Sequence, residues 1–195
     1  NVPCGCGPFT PMRSPDDPML DAPAFEQAGI ALMLQVLRES TEPVHILSFG
    51  SARPVAVAFN REPDLLRSKV ARIHLCAGSS PGPYVEWNVQ LDPHAFVRLM
   101  QSDLPVDVYP CAADKSPYDL GQHNCFWRLE NLNFVRELAP GLQRYLGYAF
   151  SRAQRADFLV AMEDDLPADV LDGIGRRQHS VWETAVWMQV AGLRL

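Results

Sequence analysis

The chain alternates short apolar segments that end at glycine or serine with segments of helical character. Val44-His-Ile-Leu-Ser-Phe49 ends at Gly50, and Arg72-Ile-His-Leu-Cys76 ends in Ala-Gly-Ser-Ser. Val106-Asp-Val-Tyr109 is a third segment of this kind. Strands that alternate with helices indicate βαβ units. The sequence therefore predicts an α/β fold, a mostly parallel Rossmann-like sheet flanked by helices, with ligands bound at the carboxyl ends of the strands.

The helices between these strands are marked by prolines at their first turns, where the missing N–H costs nothing. We predict helices over Pro23–Ser40, Pro54–Asn60, Pro63–Lys69 and Pro93–Gln101. Asp92 is the predicted N-cap of the last one, because its side chain can accept a hydrogen bond from a free backbone N–H.

In the later part of the chain the sequence predicts helices, without clear strands between them. One or two helices are expected over Phe126–Phe150, broken at Pro140-Gly141. A helical turn is expected at Ala168–Gly173 and a helix over Val181–Leu195. A length of 195 residues suits one domain, so a single domain over residues 1–195 is expected.

The first 24 residues are rich in proline and glycine, which predicts a surface loop or arm rather than a core element. Asp16 and Asp17 lie in Ser-Pro-Asp-Asp-Pro with no apolar strand before them. Since Pro and Asp favour turns, an exposed turn is expected there.

Charge and cysteine content exclude several kinds of partner. The net charge of -6 and pI near 5.3, with scattered basic residues, argue against nucleic acid and acidic membranes as partners. The apolar runs are too short to cross a bilayer. Five cysteines, an odd number, do not suggest a disulfide framework, so a reducing compartment, the cytoplasm, is favoured.

Three segments, in this order, resemble the nucleoside hydrolase family, the inosine-uridine-preferring nucleoside N-ribohydrolases. Residues 46–59, ILSFGSARPVAVAF, resemble the family's strand, Gly-Pro-Leu-Thr-Asn turn and alanine-rich helix. Residues 70–78, VARIHLCAG, resemble its next strand, which ends in a Met-Gly-Gly-like turn. Residues 86–95, EWNVQLDPHA, resemble its Glu-Phe-Asn followed by Asp-Pro-Glu-Ala. The resemblance covers roughly residues 25–110 well and the C-terminal third loosely.

The resemblance implies that this chain corresponds to the later part of the larger family domain, with the N-terminal part missing. Family members begin with a strand and an Asp-x-Asp-x-x-x-Asp-Asp motif, whose carboxylates bind Ca²⁺ and supply the base that activates water. Hard oxygen ligands suit Ca²⁺, and a carboxylate beside a metal-held water suits general-base work. Ca²⁺ is thus the cofactor that the resemblance implies, although this sequence does not contain the motif.

Glu86 and Asn88 are the main candidates for substrate binding, because the resemblance places them on the ribose hydroxyls. A carboxylate accepts hydrogen bonds from hydroxyls, and a carboxamide both donates and accepts them. In an extended segment, side chains two residues apart point the same way, so both are expected to face one pocket while Trp87 packs elsewhere. The alternative is a polar loop before a capped helix. Ser80 lies where the family tends to place another ribose-contacting asparagine, although a Ser-Ser-Pro-Gly turn also explains it.

Arg53 falls where the family has a threonine whose backbone carbonyl is a calcium ligand. Backbone ligation tolerates a change of side chain, but a cation beside calcium is repulsive unless it points away. Either the metal site departs from the family's, or the arginine has replaced the charge of the metal.

His179-Ser-Val-Trp-Glu-Thr-Ala185 is the loose counterpart of the family's late His-Asp-Pro-x-Ala stretch. One register places Trp182 at the aspartate; the other places Glu183 there and Trp182 at the histidine. Glu183 is accordingly a candidate metal ligand, and Trp182 or His179 a candidate for contacting the base by stacking or protonation. The alternative for all three is the amphipathic start of a helix.

Two functions remain open at this point. The first is a nucleoside hydrolase-like protein that cleaves the N-glycosidic bond of ribonucleosides, inactive as this isolated chain. The second is a noncatalytic nucleoside- or sugar-binding domain, or a structural one, that kept the fold and lost the chemistry. In both, the expected partner is a small ribose-containing ligand, and a second copy of the chain remains an open partner.

Overall fold

The computed structural model of the chain describes residues 2–151, 160 and 162–193. These residues form two compact units, one comprising residues 1–126 and 182–195 and the other residues 127–181. The sequence predicts a single domain over residues 1–195, and the division into two compact units does not test that prediction. No helix among the described residues is long and apolar enough to span a membrane.

The first unit is built on a parallel sheet of three strands in the order β1-β2-β3. The strands are β1 (Val44–Ser48), β2 (Val70–Cys76) and β3 (Val106–Tyr109). Ile46 pairs with Ile73, which pairs with Val106. The α/β class and the parallel sheet flanked by helices are therefore confirmed, and the predicted bounds of β3 are those observed.

Six helices among the described residues belong to the first unit. They are α1 (Ala24–Glu39), α2 (Arg53–Arg61), α3 (Pro63–Lys69), α4 (Trp87–Leu91), α5 (Pro93–Met100) and, at the C-terminal end, α8 (Thr184–Val190). Four were predicted within a residue of their bounds. Helix α4 was not predicted, and α8 is shorter than the predicted helix, whose last two residues lie outside the described part.

The two faces of the sheet have different cover, as the alternation of side chains along a strand requires. Ile73 and Leu75 point into the main core, which α1, α2, α3 and α5 complete with residues such as Phe59. Cys76 points to the opposite face and packs with Val186 of α8.

The second unit contains a two-stranded antiparallel sheet and helices. Strands β4 (Trp127–Leu129) and β5 (His179–Val181) pair with each other. A 3-10 helix (Asn133–Glu137), α6 (Pro140–Ser151) and α7 (Ala168–Gly175) complete the described part of the unit. The helix expected from Phe126 is wrong over β4, where pairing with β5 decides the conformation; the expected break at Pro140 is confirmed, because α6 begins there.

The N-terminal segment corrects the expectation of a surface arm. It has no helix or strand between residues 2 and 23, as predicted, but Met12 and Met19 are buried in the main core. Asp16 is exposed, whereas Asp17, expected in the same exposed turn, is buried. The reason is that the Asp17 carboxylate accepts hydrogen bonds from the backbone N–H groups of Arg13 and Met19 and from the Arg13 guanidinium. The segment is therefore packed through its own polar groups.

Candidate functional site

A cavity of about 280 Å³ lies in the first unit beside the carboxyl ends of the strands. We call it the strand-end cavity. Four of its lining residues are ones that the sequence singled out as candidate ligands: Glu86, Asn88, Trp182 and Glu183. Two pairs that are far apart in the sequence thus meet at one site, at the edge of the sheet where parallel-sheet proteins bind ligands.

Five further lining residues were missed by sequence reasoning. They are Phe49, Trp87, Cys111, Pro117 and Tyr118. A signal existed for Phe49, which directly follows β1, and for Cys111, which follows β3 by two residues, because the ends of parallel strands meet at one edge. No pattern marked Pro117 and Tyr118, which lie in an irregular loop.

Glu86 is held by the turn that follows β2. Gly78 has a positive φ of 88°, which favours glycine, and its amide donates to Oε2 of Glu86 over 3.0 Å. The amide of Asn88 donates to the same oxygen over 3.0 Å. Among the described residues no hydrogen bond to Oε1 is seen. One carboxylate oxygen therefore has a structural role, and the other retains the capacity to accept.

This arrangement corrects the expected conformation of the Glu86–Asn88 segment. Glu86 is the N-cap of α4, which begins at Trp87, so the segment is not a continuing extended strand. Glu86 itself provides the cap of this helix, so the alternative interpretation, a polar loop before a capped helix, does not describe the segment either. The expectation that both side chains face one pocket survives, because each lines the strand-end cavity; Trp87, expected to pack elsewhere, lines it as well.

Asn88 is oriented by a single hydrogen bond. Its Nδ2 donates to the carbonyl oxygen of Cys76, the last residue of β2, over 2.9 Å. No partner of Oδ1 is found within the described residues. An amide fixed in this way presents an acceptor and a second N–H, which suits a hydroxyl that both donates and accepts.

Trp182 forms a fixed wall of the cavity. Its indole N–H donates to the carbonyl oxygen of Pro117 over 2.8 Å, and its ring meets Tyr118 edge-on with the centroids 5.7 Å apart. The ring centroid of Phe126 lies 6.0 Å from that of Trp182. Trp182 is half-buried, and an indole whose N–H is satisfied in this way offers a fixed surface to another ring.

Glu183 follows Trp182 and is the N-cap residue of α8, although its side chain makes no capping hydrogen bond. No hydrogen bond or ion pair of its carboxylate is found among the described residues. The amphipathic helix start that the sequence allowed as an alternative is therefore the local structure, and the carboxylate remains available at the cavity.

A buried thiol, that of Cys111, also lines the cavity. Hydrogen bonding with Cys76, together with burial, raises the pKa of Cys111 far above its usual range, and the charges of Glu86 and Glu183 act in the same direction. Cys111 is therefore a neutral thiol and has no nucleophilic thiolate to offer at ordinary pH.

Arg53 has a structural role that the sequence did not predict. Its Nε donates to Oδ2 of Asp92 over 2.7 Å, and its Nη atoms donate to the carbonyl oxygens of Pro8, Phe9 and Leu91. We call this group the Arg53 clasp. The guanidinium is thus bound to protein acceptors, and a ligand role for the backbone carbonyl of Arg53 stays a prediction.

Asp92 caps α5 as predicted, but it has a wider role. Its Oδ1 accepts from the amide of Ala95 over 3.1 Å, and its Oδ2 accepts from the amide of Met12 and from Arg53. Its side chain is fully buried. The cap therefore also anchors the N-terminal segment.

Besides Arg53, two further candidates are not among the residues that line the strand-end cavity. Ser80 donates its amide to the carbonyl oxygen of Ala112 over 3.1 Å and is not among the residues that line the cavity. His179 belongs to β5 of the second unit, where its ring meets Phe150 edge-on at 5.7 Å. Substrate binding by either residue stays a prediction.

Comparison with known proteins places part of the chain beside ribonucleoside hydrolases. The pyrimidine-specific ribonucleoside hydrolase RihA of Escherichia coli O139:H28 is 40% identical over 98 residues, which is 47% of this chain and 31% of that protein. The protein of the same name from Enterobacter sp. (strain 638) is 39% identical over 98 residues, again 47% of this chain and 31% of that protein. No protein-family model matches the chain. The chain thus spans about a third of the curated relatives that it matches.

Two solved structures resemble the fold. They are an inosine-uridine preferring nucleoside hydrolase from Bacillus anthracis, with a TM-score of 0.42, and a purine-preferring ribonucleoside hydrolase from Gardnerella vaginalis, with a TM-score of 0.45. Each is 14% identical to this chain. Each match covers 85% of this chain, together with 49% of the Bacillus anthracis protein and 48% of the Gardnerella vaginalis protein. At these scores the likenesses add nothing to the sequence comparison. That comparison confirms the resemblance to the nucleoside hydrolase family over part of the chain.

Proposed function

We propose that this chain provides the ribose-binding side of a ribonucleoside hydrolase, a protein that cleaves the N-glycosidic bond of a nucleoside. The observation that carries the proposal is the meeting of Glu86, Asn88, Trp182 and Glu183 at one cavity beside the strand ends. The identity to pyrimidine-specific hydrolases supports the reaction class and a ribonucleoside as the small-molecule ligand.

In this proposal three of the side chains have separate tasks. Oε1 of Glu86 accepts from one ribose hydroxyl, while the carboxamide of Asn88 exchanges hydrogen bonds with its neighbour. The indole of Trp182 stacks on the base. Positioning the sugar in this way prepares the glycosidic bond for attack by water, since a fixed ribose orients its anomeric carbon.

Calcium remains a proposal that the donor set of this chain does not support. Among the described residues no group of three or more His, Cys, Asp or Glu side chains is placed to hold a metal ion. Glu183 lines the strand-end cavity and Arg53 does not. Since Ca²⁺ takes six to eight oxygen ligands, these two candidates alone do not fit a calcium site, and no catalytic step is derived through the metal.

The test separates binding from turnover. Uridine and inosine are added to the 195-residue chain, and base release is measured with and without Ca²⁺. We expect a rise in the unfolding temperature with nucleoside, because a ligand that binds only the folded state stabilises it, and no base release. Brisk turnover would contradict the proposed inactivity of the isolated chain, whereas absence of any nucleoside binding would contradict the proposed ribose site.

A noncatalytic nucleoside- or sugar-binding domain is the second candidate. The donor set favours it, because the described residues bring no cluster of three metal-binding side chains together. It predicts the same binding by Glu86 and Asn88, but no hydrolysis by the longest form of the protein that contains this chain. A double variant, Glu86→Ala with Asn88→Ala, that binds uridine as well as the parent would remove both residues from either function.

A further inference from the structure

The strand-end cavity has an unbalanced set of charges. Two of the lining residues, Glu86 and Glu183, are carboxylates, and none of the described lining residues is Lys, Arg or His. Four others are aromatic: Phe49, Trp87, Tyr118 and Trp182. A neutral nucleoside uses the hydrogen-bonding groups of such a site but not its charge.

The charge of Glu86 is partly compensated and that of Glu183 is not. Glu86 is 4% exposed and accepts two backbone N–H groups on one oxygen. Glu183 is half-buried, and no hydrogen bond or ion pair of its side chain occurs within the described part of the chain. The charge of Glu183 is therefore not neutralised by a described side chain at the cavity that it lines.

The aromatic residues add attraction of the same sign. The face of an aromatic ring carries negative charge density, so a cation is attracted to it, most strongly by tryptophan. Trp182 is fixed by its hydrogen bond to Pro117. Trp87 also lines the cavity, but its side chain is 65% exposed. Both indoles thus line the same cavity as the two glutamates.

We propose that the strand-end cavity prefers a nucleoside whose base carries a positive charge, an N-ribosylpyridinium, over neutral nucleosides. The ribose would engage Glu86 and Asn88, and the cationic ring would lie against tryptophan with Glu183 nearby. This inference rests on the proposed function and names the ligand class of the same site. By the same charges, a nucleoside phosphate binds more weakly than its nucleoside, because its anion would approach two carboxylates.

The test uses two ligands of nearly the same shape. Ribosylnicotinamide carries a pyridinium cation, and its reduced 1,4-dihydro form is neutral with the same ribose and carboxamide. Their dissociation constants for the whole chain are measured by isothermal titration calorimetry at low salt with a chelator, beside uridine and nicotinamide mononucleotide. We expect the cation to bind about tenfold more tightly than the dihydro form, a ratio that cation–π attraction and an unpaired carboxylate together support.

A charge-removing variant identifies the residue. Glu183→Gln keeps the side-chain volume and is expected to remove most of the tenfold preference, because it should weaken binding of the cation far more than binding of the dihydro form. Glu42→Gln, an exposed glutamate outside the cavity, is the matched control and should keep the preference. Raising the salt concentration should reduce the preference in the parent chain as well, because the charges are partly solvated.

The outcomes separate this inference from the proposed function. Equal affinity for the two ribosylnicotinamide forms, together with binding of uridine, overturns the charge preference and leaves the ribose site standing. A preference that persists in Glu183→Gln overturns it too. If the folded chain binds neither these ligands nor uridine, both the inference and the proposed function fail.

Discussion

The Arg53 clasp and the strand-end cavity both place charged side chains in the first unit, but they treat charge in opposite ways. In the clasp the Asp92 side chain is fully buried and that of Arg53 is 8% exposed, and each donates to or accepts from protein atoms on several sides. In the cavity Glu183 has no such partner among the described residues. Burying a charge is costly unless it is paired and hydrogen-bonded, so complete pairing marks a structural group. A carboxylate left open at a cavity retains the capacity to bind a ligand.

The largest expected effect comes from breaking the clasp. Arg53→Met should lower the free energy of unfolding by about 3–5 kcal/mol, because it leaves the Asp92 carboxylate buried without its cation. Urea denaturation at pH 7 measures the change. The control is Arg67→Met, which breaks the exposed ion pairs with Asp64 and Asp103 and should cost under about 1 kcal/mol.

A double variant shows whether the pair acts as a unit. Arg53→Met combined with Asp92→Asn removes both charges, and its loss should be clearly smaller than the sum of the two single losses. Losses that add, or an Arg53→Met variant no worse than the Arg67 control, would show that the clasp has no special structural role.

The clasp also shows what the sequence can and cannot predict. The cap by Asp92 was predictable because the amide that donates to it, that of Ala95, lies only three residues away. The ion pair was not, because Arg53 is 39 residues away and only the fold brings it close. The burial of Met12 had the same cause, since its amide is bound by Asp92. Local patterns predict capping, while long-range pairing needs the tertiary structure.

The elements of the first unit were predicted well for a related reason. The apolar run of β3 and the prolines that open α3 and α5 act locally, and their positions were predicted correctly. Helix α4 was missed because glutamate is not among the favoured N-caps, and Glu86 occupies that position. Strand β4 was missed because its conformation depends on pairing with β5.

The cavity was predictable only where a resemblance or a strand end pointed to it. Glu86, Asn88, Trp182 and Glu183 came from the family resemblance, and their meeting at one cavity is a fact of the structure. Tyr118 contributes a wall through an irregular loop, for which no periodicity or motif exists.

A smaller effect is expected from Asp17, a carboxylate paired near the surface. Hydrogen bonding from the Arg13 guanidinium holds the pKa of Asp17 well below its ordinary value. Its contribution to stability is therefore fully present above about pH 4, the ordinary pKa of aspartate, and is lost as the pH falls through the lower folded pKa. Asp17→Asn should lower the free energy of unfolding at pH 7 by about 1–2 kcal/mol.

The pH dependence gives this prediction its test. Urea denaturation of parent and Asp17→Asn from pH 7 to pH 3 should show a constant difference down to about pH 4 and a shrinking one below it. Asp16→Asn is the matched control, because the carboxylate of Asp16 is exposed. This substitution should change the free energy of unfolding by less than about 0.5 kcal/mol. A difference that widens on acidification would contradict the assigned direction of the pKa.

The smallest effect on stability is expected from substitution of Glu86. One oxygen of its carboxylate is bound by the protein, as in the Arg53 clasp, and the other is open at the cavity, as in Glu183. In Glu86→Gln the side-chain carbonyl oxygen can take the place of Oε2 and still accept from the amides of Gly78 and Asn88. The free energy of unfolding should therefore change by less than about 1 kcal/mol. The other atom becomes an NH₂ group, which cannot accept from a ribose hydroxyl.

Glu86→Gln should accordingly separate the two roles of the carboxylate. We expect the affinity for uridine, measured by calorimetry, to fall about tenfold, which is the loss of one hydrogen bond to a charged group. Glu86→Ala removes the cap as well and should lose both stability and affinity. If Glu86→Gln is as unstable as Glu86→Ala and binds uridine like the parent, Glu86 belongs with Arg53 among the structural charges. Retained stability with weakened binding assigns Oε1 to the ligand, because only an oxygen that the fold does not use can be lost in this way.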